Sequence, residues 1–167
     1  MLILGDVLAI VSIFFVGGLT LWGCLVACGL LCVDRVELAR SKIALRPGRS
    51  FLIGLLLAAT LGVLSIALSA APAPPLKLLG FAMMLALVCI SFVGSSGLAR
   101  IAGDRIGSQA PDLPGYAQLS RGAGYVVLPA LLPLIGWFFV GPIILLMGLG
   151  AGWGALFARS ERVAFEA

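Results

Sequence analysis

The chain contains no histidine, the side chain that most often serves as general base and metal ligand near neutral pH. Charge is scarce too. A soluble domain carries charge on about a quarter of its residues, and here the share is 11% of 167, too little to cover a water-facing surface. Cysteines stand only at 24, 28, 32 and 89, all inside apolar runs, which excludes a secreted disulfide framework. No nucleophile–base pair, phosphate-binding loop, metalloprotease motif or intramembrane-protease signature occurs. The sequence therefore offers no catalytic, cofactor-binding or metal-ligating residue, and an enzyme is not expected.

What remains is apolar. Hydrophobic residues make up 62% of the chain, and the mean hydropathy is +1.20. They come in long runs, not at amphipathic spacing, and a helix apolar on every side is either buried or faces lipid. The expected fold is all-α: a polytopic transmembrane helical bundle with four apolar segments, at residues 2–33, 51–71, 76–98 and 125–157, forming a single domain. A net charge of +4 does not point to nucleic acid, because no basic face with interleaved aromatics exists. The expected surroundings are the lipid bilayer of a cytoplasmic membrane, together with a membrane-protein partner or further copies of the chain.

Charge placement orients the bundle. No Lys or Arg precedes the first run, so it reads as a retained helix and not a signal peptide. Residues 34–50 hold Arg35, Arg40, Lys42, Arg46 and Arg49, the mark of a cytoplasmic loop, which places the N-terminus outside. Asp6 then sits near the outer interface. Residues 71–75 read Ala-Pro-Ala-Pro-Pro and form an external turn, since proline cannot continue a helix. Residues 100–124, with Asp104, Arg105 and Asp112, read as a second cytoplasmic loop with room for a short interfacial helix.

The fourth run is long for one span and short for two. At about 1.5 Å per residue it would reach about 50 Å, against a hydrocarbon core of about 30 Å. Pro133, Gly136, Gly141 and Pro142 interrupt it and form the expected hinge. It either crosses once with a kink or turns back near residues 136–142 as a re-entrant hairpin.

Two small-residue stripes predict helix packing, and Gly148/Gly152 and Gly150/Gly154 repeat the four-residue spacing in the fourth run. Gly54, Ala58 and Gly62 recur every four residues, as do Cys24, Cys28 and Cys32. Small side chains let helix backbones approach closely in lipid, and free cysteine packs as a small hydrophobe. Thiols on one face could also hold a soft metal, but no histidine or carboxylate accompanies them, so packing is the expected role. Trp22 is too deep for an interfacial belt and is assigned to packing. Ser91, Ser95 and Ser96 are expected to bond back to their own helix.

The segment Arg46-Pro47-Gly48-Arg49-Ser50-Phe51-Leu52-Ile53-Gly54-Leu55 resembles the entry to a membrane helix in the polytopic region of bacterial polymer-forming, bactofilin-like proteins. Leu131-Leu132-Pro133-Leu134-Ile135-Gly136-Trp137, followed by Gly148-Leu149-Gly150-Ala151, is similar to the end of that region. The resemblance covers about residues 46–157. It departs at the turn 71–75, and the β-helical polymer-forming domain is absent from these residues. What it implies is a membrane scaffold with no active-site residues to carry over. The expected function is a small polytopic scaffold or accessory subunit. The alternative is a small-molecule or ion transporter or channel acting as an oligomer.

Overall fold

A computed structural model of the chain describes residues 2–109, 114–132 and 134–157. The described residues are helical almost throughout, and four helices are long and apolar enough to cross a membrane. The protein is a multi-pass membrane protein.

Helix α1 (Leu2–Leu31) is the first span. It stops where charge begins: Cys32 is a bend residue, and α2 (Val33–Leu45) follows at once. Residues 34–45 were expected as loop, and the correction has a simple cause. Val36, Ala39 and Ile43 recur at helical spacing and are buried, while the charged residues take the other face. Asp34 lies in the first turn and Lys42 in the last, both favourable to the helix dipole.

The second span starts at Pro47, whose missing N–H costs nothing at a first helical position. It runs as α3 (Pro47–Leu57), a π-helical turn (Ala58–Gly62) and α4 (Val63–Ser69). Thr60 sits inside that wider turn and donates its hydroxyl to the Leu56 carbonyl at 2.8 Å, a local bond that competes with the helical ladder. The proline-rich stretch makes the expected turn, and α5 (Pro74–Gly107) opens on Pro74.

Helix α5 outruns its expected end at residue 98 by more than two turns. The next helix, α6 (Gly115–Ala130), starts ten residues before its apolar run at 125. Most of the expected loop 100–124 is thus helix. It is built of small residues that pack against one another: a Cβ on Gly103 would lie 2.7 Å from the Gln118 carbonyl oxygen. Asp112 and Pro111 of the intervening segment lie outside the described residues.

Between the end of α6 and Gly136 the chain reverses, and it returns as a π-helical segment (Gly136–Val140) continuous with α7 (Gly141–Phe157). The reversal comes earlier than the expected 136–142. Pro129 ends α6 within one residue, and Gly136 lets the next helix start against the Pro129 and Ala130 carbonyls, where a Cβ would lie 2.5 Å from each oxygen. Gly141 and Pro142 do not turn the chain. Pro142 cannot donate to the carbonyl four residues back, and the π-helical segment before it absorbs the mismatch. Pro133 lies outside the described residues.

Both legs of this hairpin start or end beside α2. Leu119, early in α6, packs on Gly29 near the end of α1, and Leu131 packs on Gly18 near its middle. The Phe14 and Trp137 rings meet at 5.6 Å between centroids. At its other end, α7 offers the Ala155 carbonyl to Arg35 at 2.8 Å. The hairpin therefore rises from the α2 end only to about the middle of α1. Its legs straddle α5, with α6 in the groove between α1 and α5 and α7 in the groove between α3 and α5. A third of α7's apolar stretch is buried (33%), against 6% for α1 and 11% for each of the other two spans, and α5 packs against α1, α2, α4, α6 and α7, so α5 and α7 together form the centre.

Candidate functional site

The centre is made of backbone. On α5, Ser91, Gly94, Ser95 and Gly97 are buried, and on α7 so are Gly148, Gly150, Ala151 and Gly152. A Cβ on Gly94 would run into the Gly148 carbonyl oxygen and lie 2.8 Å from the Gly152 nitrogen. Across α7, a Cβ on Gly54 would run into the Leu146 carbonyl oxygen, and one on Gly150 would lie 2.7 Å from the Gly54 nitrogen. Helices meet this closely only where side chains are missing, and the gain is dispersion between main chains.

Hydroxyls lock the same seam. Ser91 Oγ donates to the Leu145 carbonyl at 2.8 Å and Ser95 Oγ to the Ile144 carbonyl at 3.3 Å, both on α7. Ser96 Oγ lies 2.9 Å from two acceptors, Leu25 of α1 and Phe92 of its own helix. The expected back-bonding thus holds for one of three serines, and that one is shared with a neighbour. Such interhelical bonds average about 0.6 kcal/mol and reach about 1.7 kcal/mol. Ser96→Ala should therefore lower unfolding stability in detergent by about 0.5–1.5 kcal/mol, without loss of the folded state. Equal stability of variant and wild type would show that the Leu25 contact contributes nothing.

The two expected stripes sit differently. Of Gly54, Ala58 and Gly62, only Gly54 is buried; Ala58 is half-buried, and Gly62 has nothing within 4 Å of where a Cβ would point. The π-helical turn at 58–62 rotates the lower half of the stripe away from α7. Cys24 is exposed and Cys28 half-buried, while the buried face of α1 runs through Leu25, Val26 and Gly29. Cys32 is the bend residue and falls off the α1 stripe altogether. Among the described residues, no group of three or more Cys, Asp or Glu is placed to hold a metal. Replacing Cys24, Cys28 and Cys32 together by Ala should leave folded yield and metal content unchanged. Stoichiometric zinc or copper in the wild type, lost in the triple variant, would reverse this.

Cations collect at the α2 end and close helix termini. Arg35 donates to the Ala155 and Leu156 carbonyls, and Lys42 to the Gly154 carbonyl at 2.6 Å, all in the last turn of α7. Arg100 donates to the Gly29 carbonyl in the last turn of α1 at 2.9 Å. These carbonyls have no intrahelical partner, and a cation there also meets the negative end of the dipole. Arg40 pairs with Glu37 and, at 2.7 Å, with Asp104, tying α2 to α5. Trp22 is half-buried and donates its indole N–H to the Ser120 carbonyl at 2.9 Å, a packing role with one polar anchor.

Between the hairpin legs lies an open groove of about 580 Å³, with Leu98, Ile101 and Arg105 as floor and Tyr125, Val140 and Met147 on its walls. At the hairpin tip an apolar pocket of about 300 Å³ is lined by Leu21, Phe92, Trp137 and Leu145. Neither brings a nucleophile to a base. No protein-family model, curated protein or solved structure matches this chain.

Proposed function

We propose that the chain is a multi-pass scaffold or accessory subunit of a bacterial inner membrane that holds a membrane partner or further copies of itself. The observation that carries this reading is the interior of the bundle. Its centre is filled by main chain against main chain at Gly54, Gly94, Gly148 and Gly150, and the Ser91, Ser95 and Ser96 hydroxyls are spent on carbonyls. A solute path needs water-width space with polar groups converging at mid-depth, whereas the close packing of α3, α5 and α7 leaves no such space along their seam and makes a compact body. Such a body suits holding a neighbour in place. The exposed apolar tip of the hairpin, Trp137, Phe138 and Phe139, offers lipid or a neighbour a broad surface. The resemblance of residues 46–157 to the polytopic region of bactofilin-like proteins points the same way.

In this reading α2 faces the cytoplasm and the N-terminus lies outside, because the basic residues gather at the α2 end and Lys77 alone marks the other. Three helices cross, and the α6–α7 hairpin enters and leaves through the cytoplasmic face. Purification in mild detergent should yield the chain with a membrane partner in fixed ratio, or as a defined oligomer. A monomer that carries ion or solute flux into proteoliposomes would overturn the reading in favour of transport.

A further inference from the structure

A third cavity, of about 270 Å³, lies where α2 ends and α3 begins, at the end of the α3–α7 seam where Ser50 and Gly150 meet. Lys42, Arg46 and Arg49 line it, with Leu45 and Ile53 as apolar walls and Gly154 in its floor. Three cations in one cleft repel one another and call for an anion. The ion pairs among the described residues both belong to Arg40, so Arg46 and Arg49 have no carboxylate there. Both are exposed at the cavity. Lys42 is fixed in place, because its ammonium is held on the Gly154 carbonyl at 2.6 Å. The missing side chain at Gly154 gives the ammonium room, since a Cβ there would lie 2.9 Å from Nζ.

Backbone adds to the field. Helix α3 begins at Pro47 with no side-chain cap, so the first-turn N–H groups of Gly48 and Arg49 are open and the positive end of the dipole points into this region. The apolar side is equally specific. Arg46, Arg49 and Ile53 share one face of the helix, and above them the exposed Leu52 and Leu56 continue up the span. A charge-lined pocket at the end of a spanning helix, opening onto an apolar track, fits a phosphate that carries acyl chains. The volume is just under the roughly 300–1,000 Å³ of drug-sized sites, which suits a glycerophosphate and not a large soluble ligand.

We propose that this pocket binds the phosphate of an anionic phospholipid, with Arg46, Arg49 and Lys42 on the headgroup and Leu45 and Ile53 against the start of its chains. Basic pockets between membrane helices at the cytoplasmic side hold such headgroups elsewhere. The test is native mass spectrometry of the full chain in mild detergent, with phosphatidylglycerol or phosphatidylcholine added. The wild type should retain phosphatidylglycerol about 10- to 30-fold better than phosphatidylcholine, at about 5-fold for each of Arg46 and Arg49, since the Lys42 ammonium is already engaged on the Gly154 carbonyl. Arg46→Gln/Arg49→Gln should lose that preference while melting like the wild type, and Arg46→Lys/Arg49→Lys should keep most of it. Arg105→Gln, on the other groove, should change nothing. Arg49→Gln alone should lose about 5-fold, which keeps the test open if the double variant is poorly produced. Equal retention of the two lipids by the wild type would overturn the proposal, as would an unchanged preference in the Gln variants. So would displacement of bound lipid by millimolar inorganic phosphate, which would mean that the acyl chains contribute nothing.

Discussion

Gly94→Leu should abolish the folded, monodisperse protein in detergent, while Gly62→Leu should melt like the wild type. The two glycines look alike in sequence, each within an apolar run. At Gly94 a side chain would grow straight into the Gly148 carbonyl of α7, with the Gly152 nitrogen behind it. These obstacles are main chain, so no rotamer change can clear them. Overpacking a core where neighbours can give way costs about 1–3 kcal/mol. Here α7 itself must move, and it is held on its other side by Gly54 and Ser50 of α3. The cost therefore lies at or above the upper end of that range, and even Gly94→Ala should be clearly destabilised. At Gly62 nothing lies within 4 Å, so leucine there meets lipid and should stay within about 0.5 kcal/mol. Thermal unfolding followed by size exclusion measures both. A Gly94→Leu protein that melts with the wild type would mean that α5 and α7 do not meet at Gly148.

Lipid-facing length was the legible part of this fold. A helix exposed to hydrocarbon must be apolar all round, so runs of that kind can be read directly, and the spans at 47–69 and 74–107 begin within a turn of where composition puts them. Packing partners were not legible. The stripe Cys24–Cys28 has helical period but lies beside the buried face at Leu25 and Val26, because periodicity gives a face without saying what it meets. The segment Ser91-Phe92-Val93-Gly94-Ser95-Ser96-Gly97 carried a usable signal: so many small and hydroxyl residues in one span mark a helix with close neighbours on several sides. From sequence its hydroxyls read as bonded to their own helix, because sequence does not show the carbonyls of α7 and α1 that stand opposite. Helix α2 was missed for another reason. Its charges suggested a loop, although Val36, Ala39 and Ile43 already traced a buried face. The cationic pocket depends on the angle between α2 and α3 and on Gly154 from far along the chain, so its three cations read in sequence only as a topology signal.

A cysteine placed at position 160 should be labelled by a membrane-impermeant thiol reagent only after cells are permeabilised. The residue, with Arg159 and Arg162, lies outside the described residues, and the expectation rests on the helix before it. That helix runs 22 residues from Gly136 to Phe157, about 33 Å at 1.5 Å per residue, so length alone would let it cross. Its placement argues otherwise. It starts level with Phe14 and Leu131, near the middle of α1, and it ends on Arg35 and Lys42 of α2. It shares that end with the start of α6, so one hairpin brings the chain back to the side it left. Charge agrees, since Arg121 precedes the hairpin and Arg159 and Arg162 follow it, and Arg tends to stay on the cytoplasmic side. The experiment uses a background in which Cys24, Cys28, Cys32 and Cys89 are replaced. Ser160→Cys and Ser41→Cys should both be protected in intact cells, and Lys77→Cys should be labelled from outside. Labelling of Ser160→Cys in intact cells, with Ser41→Cys still protected, would establish a fourth crossing. The hairpin could then not exist as placed, because α7 cannot both reach the outer face at Phe157 and rest its last carbonyls on α2.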